Sequence, residues 1–292
     1  MNLVIPPYRL IRTQCSELEW RFDESEEAWK VTDEFDSVLE QGRSNGKLGT
    51  LLRAFLKRHP WHFDALTHYA MCKRQEGKAL DAYAFARTAV ATAKEAIPRD
   101  FDANLHQIPG GFVENRPFLR ALYELMQCCE ALGDTKGAAA IGFEILELDH
   151  EDRMGARYEL PKYLILEGRY RAAAELFEKP EFDGTFHRAF YLYPLVLLYL
   201  DRREEAKDAI ESCLGTPQTA RYLLDPMLAV PESDSFLGGF TSGSELEGYY
   251  YARQYRRFWI DCGDAVKLLL KASRKVEKAG WPRYYPVKVY PS

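Results

Sequence analysis

The sequence has no long, uninterrupted run of apolar residues. Its longest apolar stretch, AFYLYPLVLLYL at residues 189–200, contains a proline. A helix that crosses a bilayer needs about 20 apolar residues, so this stretch predicts a buried helix. The first residues, MNLVIPPYRLIRT, contain two prolines and no small-residue cleavage site, so we expect no signal peptide. These absences predict a protein without a membrane partner.

Cysteine and histidine are scarce and are not arranged for metal binding. None of the six cysteines forms a CxxC pair, and HPWH at residues 59–62 has no carboxylate or cysteine at a helical offset that would complete a site. We therefore expect no metal, no cofactor, and reduced buried thiols in a cytoplasmic protein. The cysteines are Cys15, Cys72, Cys128, Cys129, Cys213 and Cys262.

The common catalytic and nucleotide-binding motifs are missing as well. The chain has no GxxxxGK[ST], no GxGxxG before a helix, no GxSxG and no HExxH. The acidic run DESEE at residues 23–27 is typical of a helix N-terminus, where carboxylates interact favourably with the helix dipole. The sequence therefore predicts a protein that is not an enzyme.

An excess of positive charge is also lacking. The net charge is −5, from 39 basic and 44 acidic residues. Proteins that bind nucleic acid or anionic membranes in a general way usually carry a net basic face. We therefore do not expect nucleic acid as the main partner.

What the sequence does contain is a repeat. A segment that starts at Phe118, FLRALYELMQCCEALGDTKGAAAIGFEILELDHED, has two helical patterns separated by a turn, and two looser copies follow it. The turn residues Gly133, Gly168 and Asp201 occupy the same position in successive copies, at nearly equal separations along the chain. A helix–turn–helix period of about 34 residues resembles the tetratricopeptide (TPR) repeat.

An earlier repeat has its turn at Gly77. The separation between Gly77 and Gly133 exceeds one period by about 22 residues, so we expect an insertion near residues 97–116, where proline, glycine and asparagine are frequent. The fold class predicted is an all-α, TPR-like α-solenoid of antiparallel helix pairs with a C-terminal helical cap. The predicted organisation is capping helices in 1–59, repeats in 60–214, and a loop, capping helices and an aromatic tail in 215–292.

Two further resemblances concern larger families. A C-terminal segment resembles one in uncharacterised bacterial TPR proteins and in the eukaryotic suppression-of-tumorigenicity family, although Gly248 stands where that pattern prefers alanine. The repeat half resembles the TPR region of the transcription-factor-25 family, around RPFLRALYELM and LELDHED. Neither family implies a catalytic site. The residues that match the C-terminal pattern are Tyr222, Leu223, Leu224, Gly243, Ser244, Glu247, Tyr251 and Trp259.

In a TPR solenoid the first helix of each repeat lines the concave face, which predicts a partner-binding groove. Three tyrosines occupy one equivalent position in successive repeats, where they either bind a peptide or pack between repeats. The basic residues among the groove positions predict a preference for acidic ligands. The predicted groove residues are Arg74, Arg120, Tyr123, Gln127, Tyr158, Lys162 and Tyr191.

Pro161 and Pro194 fall midway through the first helices of consecutive repeats. Proline inside a helix removes a backbone hydrogen bond and bends the helix. We therefore expect two equivalent kinks that change the curvature of the groove.

The favoured function is a non-catalytic adaptor or scaffold that binds a protein or peptide on the concave face. One alternative is an RNA- or ribosome-associated factor with a C-terminal basic helix face. Another is an enzyme with a site around Glu247, Tyr251 and Trp259. The identity of the partner and the oligomeric state stay open. The basic face would comprise Arg253, Arg256, Arg257, Lys267, Lys271 and Arg274.

Overall fold

A computed structural model of the chain describes residues 8–45, 47–179, 191–215, 218–231 and 244–278. The chain divides into two compact units, Met1–Tyr163 and Leu164–Ser292. Almost all regular structure in the described residues is helical, as the repeat pattern predicts. The predicted tail beyond residue 278 and most of the predicted loop at 225–243 lie outside the described residues.

The first unit consists of helix pairs preceded by a β-hairpin. The strands are β1 Tyr8–Arg12 and β2 Trp20–Glu24, and a short 3-10 helix, Val113–Asn115, precedes α5. The helices are α1 Glu26–Asn45, α2 Leu48–Arg58, α3 Phe63–Gln75, α4 Ala79–Lys94, α5 Arg116–Ala131, α6 Thr135–Leu148 and α7 Ala156–Leu166, the last of which ends in the second unit.

The helices of the first unit stack in the order that TPR repeats require. Helix α3 packs on α4, and α5 packs on both of them before pairing with α6. Small residues make this close approach possible: Ala70, Ala82 and Ala86 are fully buried together with Cys128 where α3, α4 and α5 meet. A larger side chain at these positions would hold the helix backbones apart.

The β-hairpin is an element that helical periodicity did not predict, since we expected almost only helix from Trp20 onward. The strands are antiparallel, with Leu10 opposite Phe22 and Arg12 opposite Trp20. Tyr8, Leu10, Trp20 and Phe22 alternate with more exposed residues and enter the core of the unit. The alternating apolar residues form strands, so this end of the chain contains a hairpin in addition to helices α1 and α2.

The segment predicted as an insertion is bonded to this hairpin. The Trp20 backbone N–H donates to the Gln107 carbonyl at 2.8 Å, and Gln107 N–H donates to the Leu18 carbonyl at 2.8 Å. The buried Asn115 side chain accepts from Phe22 N–H and donates to the Trp20 carbonyl, both at 2.9 Å. These bonds satisfy backbone groups that burial would otherwise leave unpaired.

The described part of the second unit is helical. The helices are α8 Tyr170–Phe177, α9 Tyr193–Tyr199, α10 Arg203–Cys213, α11 Gln218–Leu224, α12 Glu245–Asp261 and α13 Ala265–Lys278. Helix α8 packs on α9, α9 on α10, α10 on α13, and α11 on α12. Ser244 caps α12 by accepting a hydrogen bond from Glu247 N–H at 3.2 Å.

The four turn residues that define the period share one backbone conformation. Gly77 and Gly133 have φ of 76°, Gly168 has φ of 67°, and Asp201 has φ of 59°. A helix commonly ends in this left-handed region, where glycine is unstrained and aspartate is tolerated. The repeat period in the sequence therefore has a direct conformational cause.

The two prolines are not equivalent. Pro161 lies inside α7, as predicted. Pro194 is in the first turn of α9, which begins at Tyr193, so its missing N–H removes no intrahelical bond. The prediction of two matching kinks is wrong for this reason. No helix among the described residues is both long and apolar enough to cross a membrane.

Candidate functional site

Helices α1, α3, α5 and α7, which all begin in the first unit, are the first helices of four predicted pairs. We call the surface that they contribute the first-helix face. The Phe35 ring of α1 lies 5.5 Å from the His68 ring of α3, so these two helices are neighbours. Ion pairs then link α3 to α5 and α5 to α7.

Arg74 and Glu124 form the first of these pairs. The Arg74 Nε and Nη2 donate to the two carboxylate oxygens of Glu124 at 2.8 and 2.9 Å. The Glu124 side chain is 4% exposed and that of Arg74 is 31% exposed. The hydrogen bonds to Glu124 raise the pKa of Arg74 above its ordinary value. Bidentate geometry fixes the direction of both side chains.

Arg120 and Asp64 form the second pair between α3 and α5. Arg120 donates from Nε and Nη2 to the Asp64 oxygens at 3.0 and 3.1 Å. His68, one turn further along α3, has its Nε2 at 3.8 Å from the same carboxylate. Asp64 is buried, so the charge of Arg120 compensates for its desolvation.

Lys162 links α7 to α5. Its Nζ lies 2.7 and 2.8 Å from the Glu130 oxygens and 2.9 Å from Glu159. The Tyr163 hydroxyl donates to Glu130 at 2.7 Å. Because the Lys162 side chain is 4% exposed, it holds the two helices together and offers little surface to a ligand.

These pairs correct the predicted preference for acidic ligands. The three cations, Arg74, Arg120 and Lys162, each face at least one carboxylate within hydrogen-bonding distance. Their positive charge is therefore balanced inside the protein. The partner carboxylates are Asp64, Glu124, Glu130 and Glu159.

The three tyrosines that were predicted to share one equivalent position in successive repeats do not share it in the structure. Tyr123 and Tyr158 are half-buried on α5 and α7, as is Gln127 on α5. Tyr191 is fully buried in the second unit, where its hydroxyl donates to the Cys213 carbonyl at 2.9 Å. Tyr191 precedes α9, so its helical position is not equivalent to those of the other two. A buried ring cannot contact a partner, and Tyr191 is a core residue.

Further carboxylates lie at the N-terminal part of the first-helix face. Burial raises the pKa of Glu24, opposed by a hydrogen bond from Thr32, and the negative charge of Asp64 raises it further. Burial and the charge of Asp64 also raise the pKa of Asp36 on α1. Sequence reasoning missed this acidic region because its members come from β2, α1 and α3. The spacing of Asp33, Asp36 and Glu40, which places them on one side of a helix, is the sequence pattern that could have indicated this acidic region.

Two alternative functions were assigned to C-terminal residues, a catalytic site and a basic helix face. Glu247, Tyr251 and Trp259 are all fully buried, and Trp259 Nε1 donates to the Tyr251 hydroxyl at 3.4 Å. They lie among packed helices, and the proposed catalytic site has no opening to solvent at these residues. The backbone contact between α11 and α12 at Gly248 is close enough that a Cβ there would lie 2.9 Å from Thr219 N.

The predicted basic face is partly used inside the second unit. Arg256 donates to the Leu223 carbonyl at 2.9 Å, Arg253 lies over the Tyr249 ring at 5.7 Å, and Arg257 is 3.4 Å from Asp261. Lys271 and Arg274 on α13 are exposed. The six residues therefore do not form one continuous unpaired stripe.

Among the described residues, the buried thiols and the potential metal ligands are not arranged for reactivity. Burial raises the pKa of Cys128 to about 12 and those of Cys129 and Cys262 to about 11. Such thiols are poor nucleophiles because they stay protonated at neutral pH. Within the described ranges, no group of three or more His, Cys, Asp or Glu residues is placed to hold a metal ion.

Comparison with solved structures identifies the class of fold. MamA superposes with a TM-score of 0.50 at 17% identity, over 69% of this chain and 99% of the MamA chain. A Podosopora anserina protein described as a kinesin light chain with TPR-like repeats gives 0.43 at 14% identity, over 76% of this chain and 97% of its own. The MamA superposition and the helix stacking together define an all-α fold of the TPR-like solenoid class.

The family follows from the sequence match. Residues 20–248, well over half of the chain, match the family model described as Transcriptional repressor TCF25. The chain belongs to this family, which confirms the resemblance seen around RPFLRALYELM and LELDHED. The resemblance to the suppression-of-tumorigenicity family stays a prediction. A comparison with curated proteins found no match.

Proposed function

We propose that this protein is a non-catalytic adaptor that binds a protein or peptide partner on its first-helix face. The observation that carries the proposal is the set of ion pairs that join α3 to α5 and α5 to α7. Stacked helical repeats present extended surfaces suited to binding. Side chains already fixed by such pairs lose little conformational entropy when a partner binds.

The charge of the face favours a basic partner segment. Its ion pairs contain three cations and four carboxylates, and Asp36 and Glu24 add two more carboxylates beside Asp64. Complementary charge accelerates encounter and improves specificity, and raised salt weakens both effects. The proposal therefore names a partner segment that carries lysine or arginine, in place of the acidic ligand that the sequence predicted.

The family description names a transcriptional repressor. An adaptor can support repression by holding other proteins together, with no chemistry of its own. The buried thiols fit a reducing compartment, and we place the protein in the cytoplasm, with the nucleus as the second compartment that the family description suggests.

A charge-reversal pull-down tests this proposal. Asp36→Lys combined with Gln127→Lys changes the charge of the first-helix face and replaces no member of its ion pairs. The matched control, Glu147→Lys, changes an exposed residue on α6, the second helix of its pair. Native lysate is passed over the full-length wild type and both variants, and bound proteins are quantified by mass spectrometry.

We expect a partner that the wild type and Glu147→Lys retain equally and that the double variant retains at least fivefold less. A peptide from that partner, rich in lysine or arginine, should then bind the wild-type chain directly. Equal retention by all three proteins, or the absence of any specific partner, would contradict the proposal.

A further inference from the structure

Helices α10 and α13 of the second unit lie side by side and run in the same direction. Arg203, at the start of α10, is 2.8 Å from Asp264, which directly precedes α13. Glu211, near the end of α10, is 2.7 Å from Lys275 on α13. Because both starts and both later turns are paired, the two helices run parallel, and a groove lies between them.

The groove has a volume of 410 Å³. Its residues lie three or four apart on each helix, which places them along one stripe of α10 and one of α13. The lining residues are Lys207, Ile210, Glu211, Leu268, Lys271, Ala272 and Lys275.

The groove has an apolar floor. Ile210 is buried, while Leu268 and Ala272 on α13 are half-buried and open into the groove. Half-buried aliphatic side chains are stabilised by a ligand that removes their remaining surface from water. The floor therefore suits apolar side chains of a partner.

The edges of the groove are positively charged. Lys271 lines the groove, is exposed and forms no ion pair with another described residue. The Lys275 side chain remains 71% exposed despite its contact with Glu211. In a chain whose net charge is −5, such a local concentration of cations is complementary to an acidic ligand.

We propose that the α10–α13 groove binds an acidic amphipathic helix of a partner protein. Leucine-like side chains three or four residues apart would contact Leu268 and Ala272, and flanking carboxylates would meet Lys271 and Lys275. This is the helix-in-groove mode of peptide recognition. The proposal concerns the second unit and does not depend on the function of the first-helix face.

The composition of the groove favours a peptide over nucleic acid. None of the described residues that line it is aromatic, so this part of the groove offers no ring on which single-stranded bases stack. Its apolar floor has no favourable contact with phosphate. The lining residues of α13 span two helical turns, about 11 Å, so we expect a short contact of micromolar affinity.

A binding experiment with defined probes tests the groove. The probe is a fluorescein-labelled 16-residue peptide with leucine at positions i, i+3, i+4 and i+7, glutamate at four flanking positions and alanine elsewhere, which keeps its helix propensity high. Its twin carries lysine at every glutamate position, and a 20-nucleotide oligouridine is the nucleic-acid probe. Fluorescence anisotropy is measured with full-length wild type, Lys271→Glu and the control Lys136→Glu, which changes an exposed lysine on α6.

We expect the acidic peptide to bind the wild type and Lys136→Glu equally, and Lys271→Glu at least tenfold more weakly. Equal binding of the acidic and lysine peptides, or tighter binding of oligouridine, would overturn the proposal. A concentration-dependent dimer that Lys271→Glu abolishes in sedimentation velocity would also overturn it, since a second copy would then occupy the groove. Circular dichroism melts identify a misfolded variant, and Leu268→Glu then provides the same test from the groove floor.

Discussion

Arg74 on α3 and Glu124 on α5 are separated by 50 residues in the chain and joined by two parallel hydrogen bonds of 2.8 and 2.9 Å. Cys128, one turn along α5, also lies 3.5 Å from the same carboxylate through its sulfur. The pair connects the first helices of two repeats at a position where the carboxylate has almost no access to water.

Replacing Glu124 by Gln should destabilise the first unit by about 2 kcal/mol. The change leaves Arg74 without its charged partner, and that cost is below the 3–5 kcal/mol of a fully buried pair because Arg74 is still partly solvated. Urea unfolding followed by circular dichroism measures the difference. The control Asp100→Asn removes a 3.4 Å pair with Arg12 between exposed side chains and should change stability by less than about 0.5 kcal/mol. Equal effects of the two variants would contradict this interpretation.

A double-mutant cycle separates the pair from its surroundings. Arg74→Met combined with Glu124→Leu should cost less than the sum of the single changes, because neither charge is then left buried alone. An additive result would mean that the two side chains do not interact.

The stability of the first unit should fall as the pH decreases from about 6.5 towards 4. His62 is 1% exposed, and burial lowers its pKa from 6.5 to about 4, although nearby Asp64 opposes the shift. Between these values the unfolded chain binds a proton that the folded chain does not, so acid favours unfolding, by up to about 3 kcal/mol. The Nδ1 atom must also stay unprotonated to accept the Ala65 N–H at 3.1 Å.

Replacing His62 by Asn keeps a capping acceptor at the start of α3 and removes the titration. Unfolding free energies measured at pH 4.5 and pH 7 should then differ by less than in the wild type. Thr88→Ala, at an exposed position of α4 that carries no titratable group, should leave the wild-type difference unchanged. A pH dependence that His62→Asn does not reduce would show that other groups cause it.

The helix pairs could be predicted because their signals are local. A turn that needs a left-handed residue selects glycine or aspartate, so Gly133, Gly168 and Asp201 mark the period in the sequence. The hairpin could not be predicted from helical periodicity, because its buried side depends on bonds from Trp20 to Gln107 and Asn115, which lie in a distant part of the chain.

The ion pairs of the first-helix face were only partly accessible from sequence. Asp64 and Arg120 are 56 residues apart in the chain. Gly77 and Gly133 have the same separation, so Asp64 and Arg120 occupy equivalent helical positions. That alignment indicates that Asp64 and Arg120 lie close together when the repeats stack. It does not reveal which cations are neutralised, because side-chain pairing depends on how each helix is rotated.

Tyr191 was misplaced for a related reason. Helix α9 begins two residues after it, at Tyr193, so the helical position that the repeat alignment gave to this tyrosine does not exist in the fold. An alignment of repeats fixes the order of the residues. It does not fix where each helix begins.

The turn at Asp201 offers a stabilising substitution. Asp201 has φ of 59°, in a region where a Cβ atom is strained and glycine is not. Asp201→Gly should therefore raise the stability of the second unit by about 0.5–1 kcal/mol. Gly133→Ala, at φ of 76° in the equivalent turn, should lower stability by about 1 kcal/mol. Thermal melts of both variants measure the two shifts, and shifts of the same sign would contradict the shared conformation.

Gly248 departs from the alanine that the resemblance prefers, and helix packing explains why. A Cβ at this position would lie 2.9 Å from Thr219 N and 3.0 Å from the Gln218 carbonyl carbon, both of them backbone atoms of α11 or its start. Backbone atoms cannot move aside as a flexible side chain can. Gly248→Ala should therefore separate α11 from α12 and destabilise the second unit by about 2–3 kcal/mol.

Gly49→Ala is the matched control for this prediction. It is also a helical glycine, near the start of α2, but its added Cβ would have no neighbour closer than Cys72 Cβ at 3.7 Å. Alanine has the higher helix propensity, so this variant should gain up to about 1 kcal/mol. Urea unfolding by circular dichroism measures both variants. A stability gain in Gly248→Ala would show that α11 and α12 do not approach as closely as the structure indicates, since propensity alone would then determine the effect.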